Sequence, residues 1–480
     1  MSTDSGSFGS DAGLVVQALR DYLADSSDRR HGVLDQQVAE AIISELELEK
    51  WLREGDLGGA ALAQWVQDYL ARTTRLHHPG YLAHQVATPH LTGALGALID
   101  ATTNNAMAIY EMGPAASSIE YFMINWMLQK IGWKTVPCQQ QMDEGSDHAG
   151  GVLTNGGSLA NLTALLAARS AAVPEFWARG NPGNLVLLAP EQSHYSIKRA
   201  AAILGIGEDN CLRVAADGNG RTRPDQIPAQ LSRLEDTGHQ VIALVANACG
   251  TAAGLYDPLR EIAAICESNG IWLHVDAAHG GGALVSKRLR HLVDGIELAD
   301  SVIWDAHKML RTPTLCAAVL VRDHRHLDHA FSQQASYLVH DKDQPGMDFL
   351  MRAVECTKSG LGLKLFMTLA AMGEKGLEAH VNHLVDTARE CAAMIAEQKD
   401  FELAVTPETN IVCFRAGDDD AEQLEVRKRL VQAGNYYIST TGYRGCRWLR
   451  LVFMNPATGR DDISGLLEEI RAIRVELGKA

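Results

Sequence analysis

The chain has 480 residues, 46% hydrophobic and 21% charged, with 14 prolines; this is the composition of a globular protein and excludes a fibrous or linker-rich one. The length exceeds what one ordinary core serves, so two or three lobes are expected. A formal net charge of -16 argues against nucleic acid or an anionic membrane as a partner, since both select a concentrated basic face.

The 9 cysteines are scattered, odd in number and free of any C-x-x-C pair. That suggests neither a disulfide framework nor a zinc site, and a reducing cytoplasm is the expected location. The N-terminal MSTDSGSFGSDAG is small, polar and acidic, with no basic stretch before an apolar one; it reads as a frayed tail and not as a secretory signal. Apolar runs such as Leu185–Ala189 fall far short of the roughly 20 residues a membrane-spanning helix needs.

From Gly13 to about Thr73 apolar residues recur at helical spacing (Val38, Ile42, Ile43, Leu46; Leu62, Trp65, Val66, Tyr69), which predicts a helical N-terminal arm. Between about 150 and 325 short apolar runs alternate with polar loops and amphipathic stretches, the pattern of βα units around a parallel sheet. The runs are Asn184–Leu188, Val241–Ala246, Ile271–Val275, Ser301–Trp304 and Cys316–Val321. A long helical pattern, Leu361 to Ala396, then leads through Phe401, Ile411–Phe414, Glu422–Gln432, Tyr436–Ser439, Trp448–Phe453 and Ile463–Val475 into a small α/β domain. The expected division is an arm over 1–95 serving dimerisation, a large domain over 96–360 and a small domain over 361–480.

In open α/β sheets, ligands bind beyond the carboxyl ends of the strands. There the chain places His194 (in EQSHYS), Thr251 (in CGT), Asp276 and Lys308 (in DAHK). An imidazole, a hydroxyl, a carboxylate and an amine on one rim are the groups that bind and ionise a pyridinium aldehyde. Lys308, flanked by apolar residues, must reach solvent along its stem or be held for chemistry. Upstream, Gly156, Gly157 and Ser158 open a helical run in TNGGSLANLTALLAAR, where free N–H groups and the dipole suit a phosphate; alone, the same pattern is also an ordinary N-cap. Asp257 before Pro258 reads as a helix cap, and His77, His78, His324, His326 and His329 read as surface or arm residues without metal-binding spacing.

HHPGYLAHQ (77–85), TTNNAMAIYEMGPAASSIE (102–120), TNGGSLAN (154–161), SHYSIKRAA (193–201), HVDAAHGGG (274–282) and WDAHKML (304–310) follow one another in an order that resembles the group II pyridoxal-dependent amino-acid decarboxylases over nearly the whole chain. The resemblance implies a fold-type I α/β enzyme with a mainly parallel, seven-stranded-type sheet, a homodimer, and pyridoxal 5′-phosphate (PLP) as cofactor. It further implies that Lys308 forms the Schiff base, His194 stacks on the ring, Asp276 pairs with the ring nitrogen and Ala278 packs on the opposite face. Gly157 and Ser158 would take the phosphate, with Thr251 and His307 lining the site. The substrate would be an L-amino acid met by Tyr81, His84, Gln85, Asn105 and Phe349.

Two departures stand out. Phe349 aligns with a position where many relatives carry a proton-donating tyrosine, and a phenyl ring donates no proton. Related plant enzymes with phenylalanine there form an aldehyde by oxidative deamination, so that reaction or another PLP reaction is the alternative to amine formation; a non-catalytic dimeric scaffold is a remote third. Lys358-Ser359 stand where relatives commonly have paired arginines.

Overall fold

The apolar runs of the middle region become strands β1 (Gly150–Thr154), β2 (Leu185–Pro190), β3 (Cys211–Val214), β4 (Gln240–Asn247), β5 (Trp272–Asp276), β6 (Ser301–Asp305) and β7 (Ala317–Val321). They form one seven-stranded sheet in the order β1-β7-β6-β5-β4-β2-β3. From β6 through β5, β4 and β2 to β3 each neighbour is parallel, while β7 is antiparallel to both β6 and β1. This is the mainly parallel α/β sheet expected. The computed structural model describes residues 5–137, 146–331 and 346–479.

Every residue of β1, β2, β5, β6 and β7 is buried, as in a parallel sheet covered on both faces. Side chains alternate between the faces. Leu273, Val275, Val302 and Trp304 join one core cluster, while Trp272 and Ile303 join the other, beneath the helix Gly157–Ala172. The alternation puts His274, Asp276, Ser301 and Asp305 on that second face, so polar groups interrupt the core at the strand ends there and not opposite.

The sheet belongs to a unit of Gln85–Val385 and Pro407–Thr409; a second unit holds Met1–His84, Asp386–Thr406 and Asn410–Ala480. The second unit contains an antiparallel sheet, ordered β10-β11-β9-β8, of β8 (Phe401–Leu403), β9 (Ile411–Ala416), β10 (Ser439–Tyr443) and β11 (Cys446–Val452). Phe414, Leu449 and Leu451 of this sheet pack with Leu430 of the helix Asp420–Ala433 and with Leu466 and Ile470 of the helix Arg460–Glu476.

Three expectations need correction. The stretch read as a frayed tail is helical from Ser5, in a helix running to Ser27, and Asp11 within it accepts a hydrogen bond from Gly59 N at 3.0 Å. Tertiary anchoring outweighs the weak helix propensity of its glycines and serines. The strand expected at Tyr436–Ser439 begins only at Ser439, because Tyr437 pairs its backbone with Gly80 and Leu82 instead. The pattern Leu361–Ala396 is interrupted at Gly373 (φ 66, ψ 164), a conformation open to glycine. Among the described residues no helix is long and apolar enough to cross a membrane.

Candidate active site

Because β2, β4, β5 and β6 are parallel neighbours, the residues just past the end of each strand emerge on one edge of the sheet. After β2 the chain turns through His194, which N-caps the helix Tyr195–Ile203 by accepting from Ser196 N at 3.3 Å. Thr251 lies beyond β4, and Asp276 ends β5. Asp276 is buried, and its carboxylate accepts from Ala278 N (3.1 Å) and from the Asn161 amide (3.0 Å). Beyond β6, Lys308 turns its ammonium onto Asp305 at 3.1 Å; the lysine side chain keeps 19% exposure while Asp305 keeps 2%. Burial, the largest cause, pushes the His194 imidazole below its ordinary range; Lys308 adds to this, and Asp276 and Asp305 oppose it. The four groups therefore share one electrostatic neighbourhood.

The start of the helix Gly157–Ala172 closes the site on another side. Gly156 adopts φ 102, and a Cβ on Gly157 would lie 2.8 Å from the Asp305 carboxylate, so a side chain at 157 would collide. Ser158 sits in the first helical turn. His307 is buried and holds Cys316 O through Nδ1 at 2.8 Å.

Phe349 is 1% exposed, within a short 3-10 helix, and packs in the core with Met107 and Val152. Asn105 donates to Thr103 O at 2.9 Å. Tyr81 and His84 belong to the other unit, where His84 Nε2 meets the Tyr437 hydroxyl at 3.0 Å and Tyr81 is buried against the same ring.

Asp257 caps no helix. Its buried carboxylate accepts from Thr222 N and Asn247 N, both at 2.7 Å, and Pro258 takes the N-cap position. His78 and His324 are buried rather than superficial; His78 accepts from Gly80 N, and His324 pairs with Asp328 at 2.6 Å. Asn161, Ser196, His274, Ser301 and Asp305 were missed by sequence reasoning, although Asn161 lies one helical turn beyond Gly157 and Asp305 opens DAHK.

A buried carboxylate, a lysine open to solvent and a glycine-led helix start, gathered at the strand ends of a fold-type I sheet, define a PLP-dependent enzyme. The fit is supported by Asp305 Oδ1, a buried oxygen without a hydrogen-bond partner among the described residues, and by the space that Gly157 leaves clear. The pyridoxal-dependent decarboxylase conserved domain matches residues 62–417, and the chain belongs to that family. The acidic amino acid decarboxylase GADL1 of Mus musculus is 29% identical over 476 residues, covering 95% of this chain and 84% of that protein. The crystal structure of mouse CSAD superposes with a TM-score of 0.86 at 26% identity, covering 96% of this chain and 98% of that one. Oryza sativa TDC with PLP and tryptamine gives 0.86 at 23% identity over 99% of both chains, a likeness of fold. The protein is a PLP-dependent carboxy-lyase of the amino-acid decarboxylase family.

Proposed function

We propose that the chain decarboxylates an L-amino acid to its amine and carbon dioxide, with Lys308 as the covalent attachment point of PLP. The observation that carries this is the Lys308 amine, which is held by Asp305 yet retains a path to solvent on the sheet edge that carries Asp276. When bound, PLP supplies an electron sink for the pair released by the departing carboxylate. Asp276 would pair with the ring nitrogen as a fixed acceptor. His194 and Ala278 would hold the ring. Gly157 and Ser158, at a helix start, would offer N–H groups to the phosphate, and Thr251 and His307 would line the site. Asp305 receives the Lys308 ammonium whenever the lysine is free, keeping it on the rim. His194, whose Nδ1 accepts from Ser196 N, would have Nε2 available to return a proton to Cα.

The aldehyde-forming alternative rests on Phe349, whose ring is buried with Met107 and Val152, and a change of product ratio in Phe349→Tyr would favour it. Lys308→Ala tests the main reading: carbon dioxide release and the visible absorbance of lysine-bound cofactor should both vanish, and retention of either refutes it. A panel of acidic and aromatic L-amino acids, the classes that the names of the mouse and rice relatives suggest, identifies the substrate by released carbon dioxide; amine without peroxide is the expected product.

The protein acts as a homodimer in the cytoplasm under this reading. Leu91, Leu95, Leu98 and Ile99 form an exposed apolar stripe along the helix Leu91–Thr103, suited to a second copy. Leu95→Glu with Leu98→Glu should give a monomer in sedimentation; an unchanged dimer assigns the interface elsewhere.

A further inference from the structure

Behind the rim, on the sheet face covered by the helix Gly157–Ala172, lies a line of buried polar side chains whose direction is fixed from both ends. The Trp272 indole N–H can only donate, and it meets Ser301 Oγ at 2.8 Å. Ser301 therefore directs its own hydrogen to His274 Nδ1, also at 2.8 Å. A neutral His274 then carries its hydrogen on Nε2 and donates to Asn161 Oδ1 at 2.8 Å. That fixes the Asn161 amide: its two hydrogens go to Asp276 Oδ2 (3.0 Å) and Ser196 Oγ (2.9 Å). Ser196 in turn gives its hydroxyl hydrogen to His194 Nδ1 at 2.8 Å, where the backbone N–H of Ser196 also points. The two assignments, one begun at an indole and one at a backbone amide, agree at every link.

We propose that Asn161 and His274 are positioning residues for the decarboxylation: through this one line of hydrogen bonds they hold the carboxylate of Asp276 and, by directing the Ser196 hydroxyl onto Nδ1, the ring of His194. The inference rests on the reading of Asp276 and His194 as cofactor-facing groups. Its content is that the two are not set independently. One amide group serves both, so a change at Asn161 alters the carboxylate beneath the ring and the imidazole beside it together. The members are enclosed (His274 and Ser301 at 0%, Asn161 at 1%, Ser196 at 2%), so water cannot stand in for a lost link. Burial pushes the His274 imidazole down to about 4, with Asp276 opposing, which keeps it neutral as the line requires.

The test has two readouts. In the cofactor-free protein, nitrogen chemical shifts of His194, assigned by difference against His194→Gln, report which ring nitrogen bears the proton. Titration with PLP gives the cofactor dissociation constant. We expect wild type to show protonated Nε2 and bare Nδ1. Asn161→Asp has at most one hydrogen to give where the amide gives two, so the Ser196 hydroxyl is no longer directed, the Nδ1 shift of His194 moves as that hydrogen bond is lost, and the dissociation constant rises at least about tenfold, the value of one hydrogen bond to a charged group. Should that variant fail to fold, Ser301→Ala removes a single hydroxyl at the far end and should likewise move the Nδ1 shift of His194. Unchanged His194 nitrogens together with unchanged cofactor affinity overturn the inference. Asp276→Asn separates the two levels: if it leaves PLP binding intact, the cofactor reading of Asp276 fails; if it weakens binding while Asn161→Asp does not, only the positioning role fails.

Discussion

The larger unit contains two buried lysine–carboxylate pairs, and their difference separates scaffold from chemistry. Lys358 and Glu120 are 1% and 0% exposed; Glu120 also accepts from Leu153 N at 3.0 Å, and the Phe349 ring lies 5.1 Å from the Lys358 ammonium. Neither charge of this pair meets solvent. Burial pushes the Glu120 carboxyl above its ordinary range, against the pull of Lys358. Lys308 and Asp305 make the same kind of contact at 3.1 Å, and each pair leaves one carboxylate oxygen, Asp305 Oδ1 or Glu120 Oε2, without a hydrogen-bond partner among the described residues, but only Lys308 retains exposure, at 19%. A closed pair stabilises one arrangement, whereas an open one permits the lysine to leave and return.

The largest effect expected from this contrast is on turnover. Lys308→Ala should lower kcat by at least about a thousandfold, roughly 4 kcal/mol of barrier, while the melting temperature moves little because water can enter by the opening the ammonium used. Lys358→Ala should behave in the opposite manner: it leaves Glu120 charged and enclosed, at a cost of about 3–5 kcal/mol in stability. Replacing both partners, Glu120→Leu with Lys358→Met, should recover most of that loss, since an apolar pair removes the desolvation cost as well as the attraction. Thermal denaturation of the two single variants and the double one decides this, and a double variant as unstable as Lys358→Ala would show that the pair's polarity itself is required.

Phe349 sharpens the same boundary. A hydroxyl added by Phe349→Tyr would enter an apolar cluster beside the closed pair, so the expected result is about 1–3 kcal/mol of destabilisation with an unchanged product ratio. A shift in the ratio of amine to aldehyde at constant stability would instead restore the position to the reaction.

The rim was legible in the sequence because parallel strands write themselves as continuous apolar runs, and the residue that ends each run is forced to the ligand edge. His194, Thr251, Asp276 and Lys308 could be read that way. Asn161 could not: a polar residue in an apolar helical run looks like a solvated position until the helix is laid on the sheet face that carries His274 and Asp276. Asp305 was hidden by its neighbour, since DAHK draws attention to its lysine. The burial of Phe349 was not legible either, because an aligned position fixes place in the chain but not packing. Asp257 looked like a cap because Asp-Pro before an amphipathic run usually is one; here two backbone N–H groups from other segments claim the carboxylate first.

The smallest expected effect concerns a buried imidazole, His380, which is 8% exposed with Nε2 unpartnered among the described residues. Burial, then Arg311 and His383, pushes its imidazole from 6.5 down to about 3. The sign is set by proton binding. The unfolded chain takes up a proton at this residue below about 6.5 and the folded chain refuses it until about 3, so the unfolded state binds more protons across that window. The contribution to stability is present above 6.5 and is lost as pH falls through the window, at about 1.4 kcal/mol per pH unit when the difference is one full proton. His380→Leu removes the titration while filling similar volume. Proton uptake on unfolding near pH 5, measured calorimetrically in two buffers of different ionisation enthalpy, should fall by roughly one proton relative to wild type. If uptake is unchanged, His380 already binds its proton in the folded chain, and its place beside Arg311 must then include an acceptor for Nε2 that the fold as described does not provide.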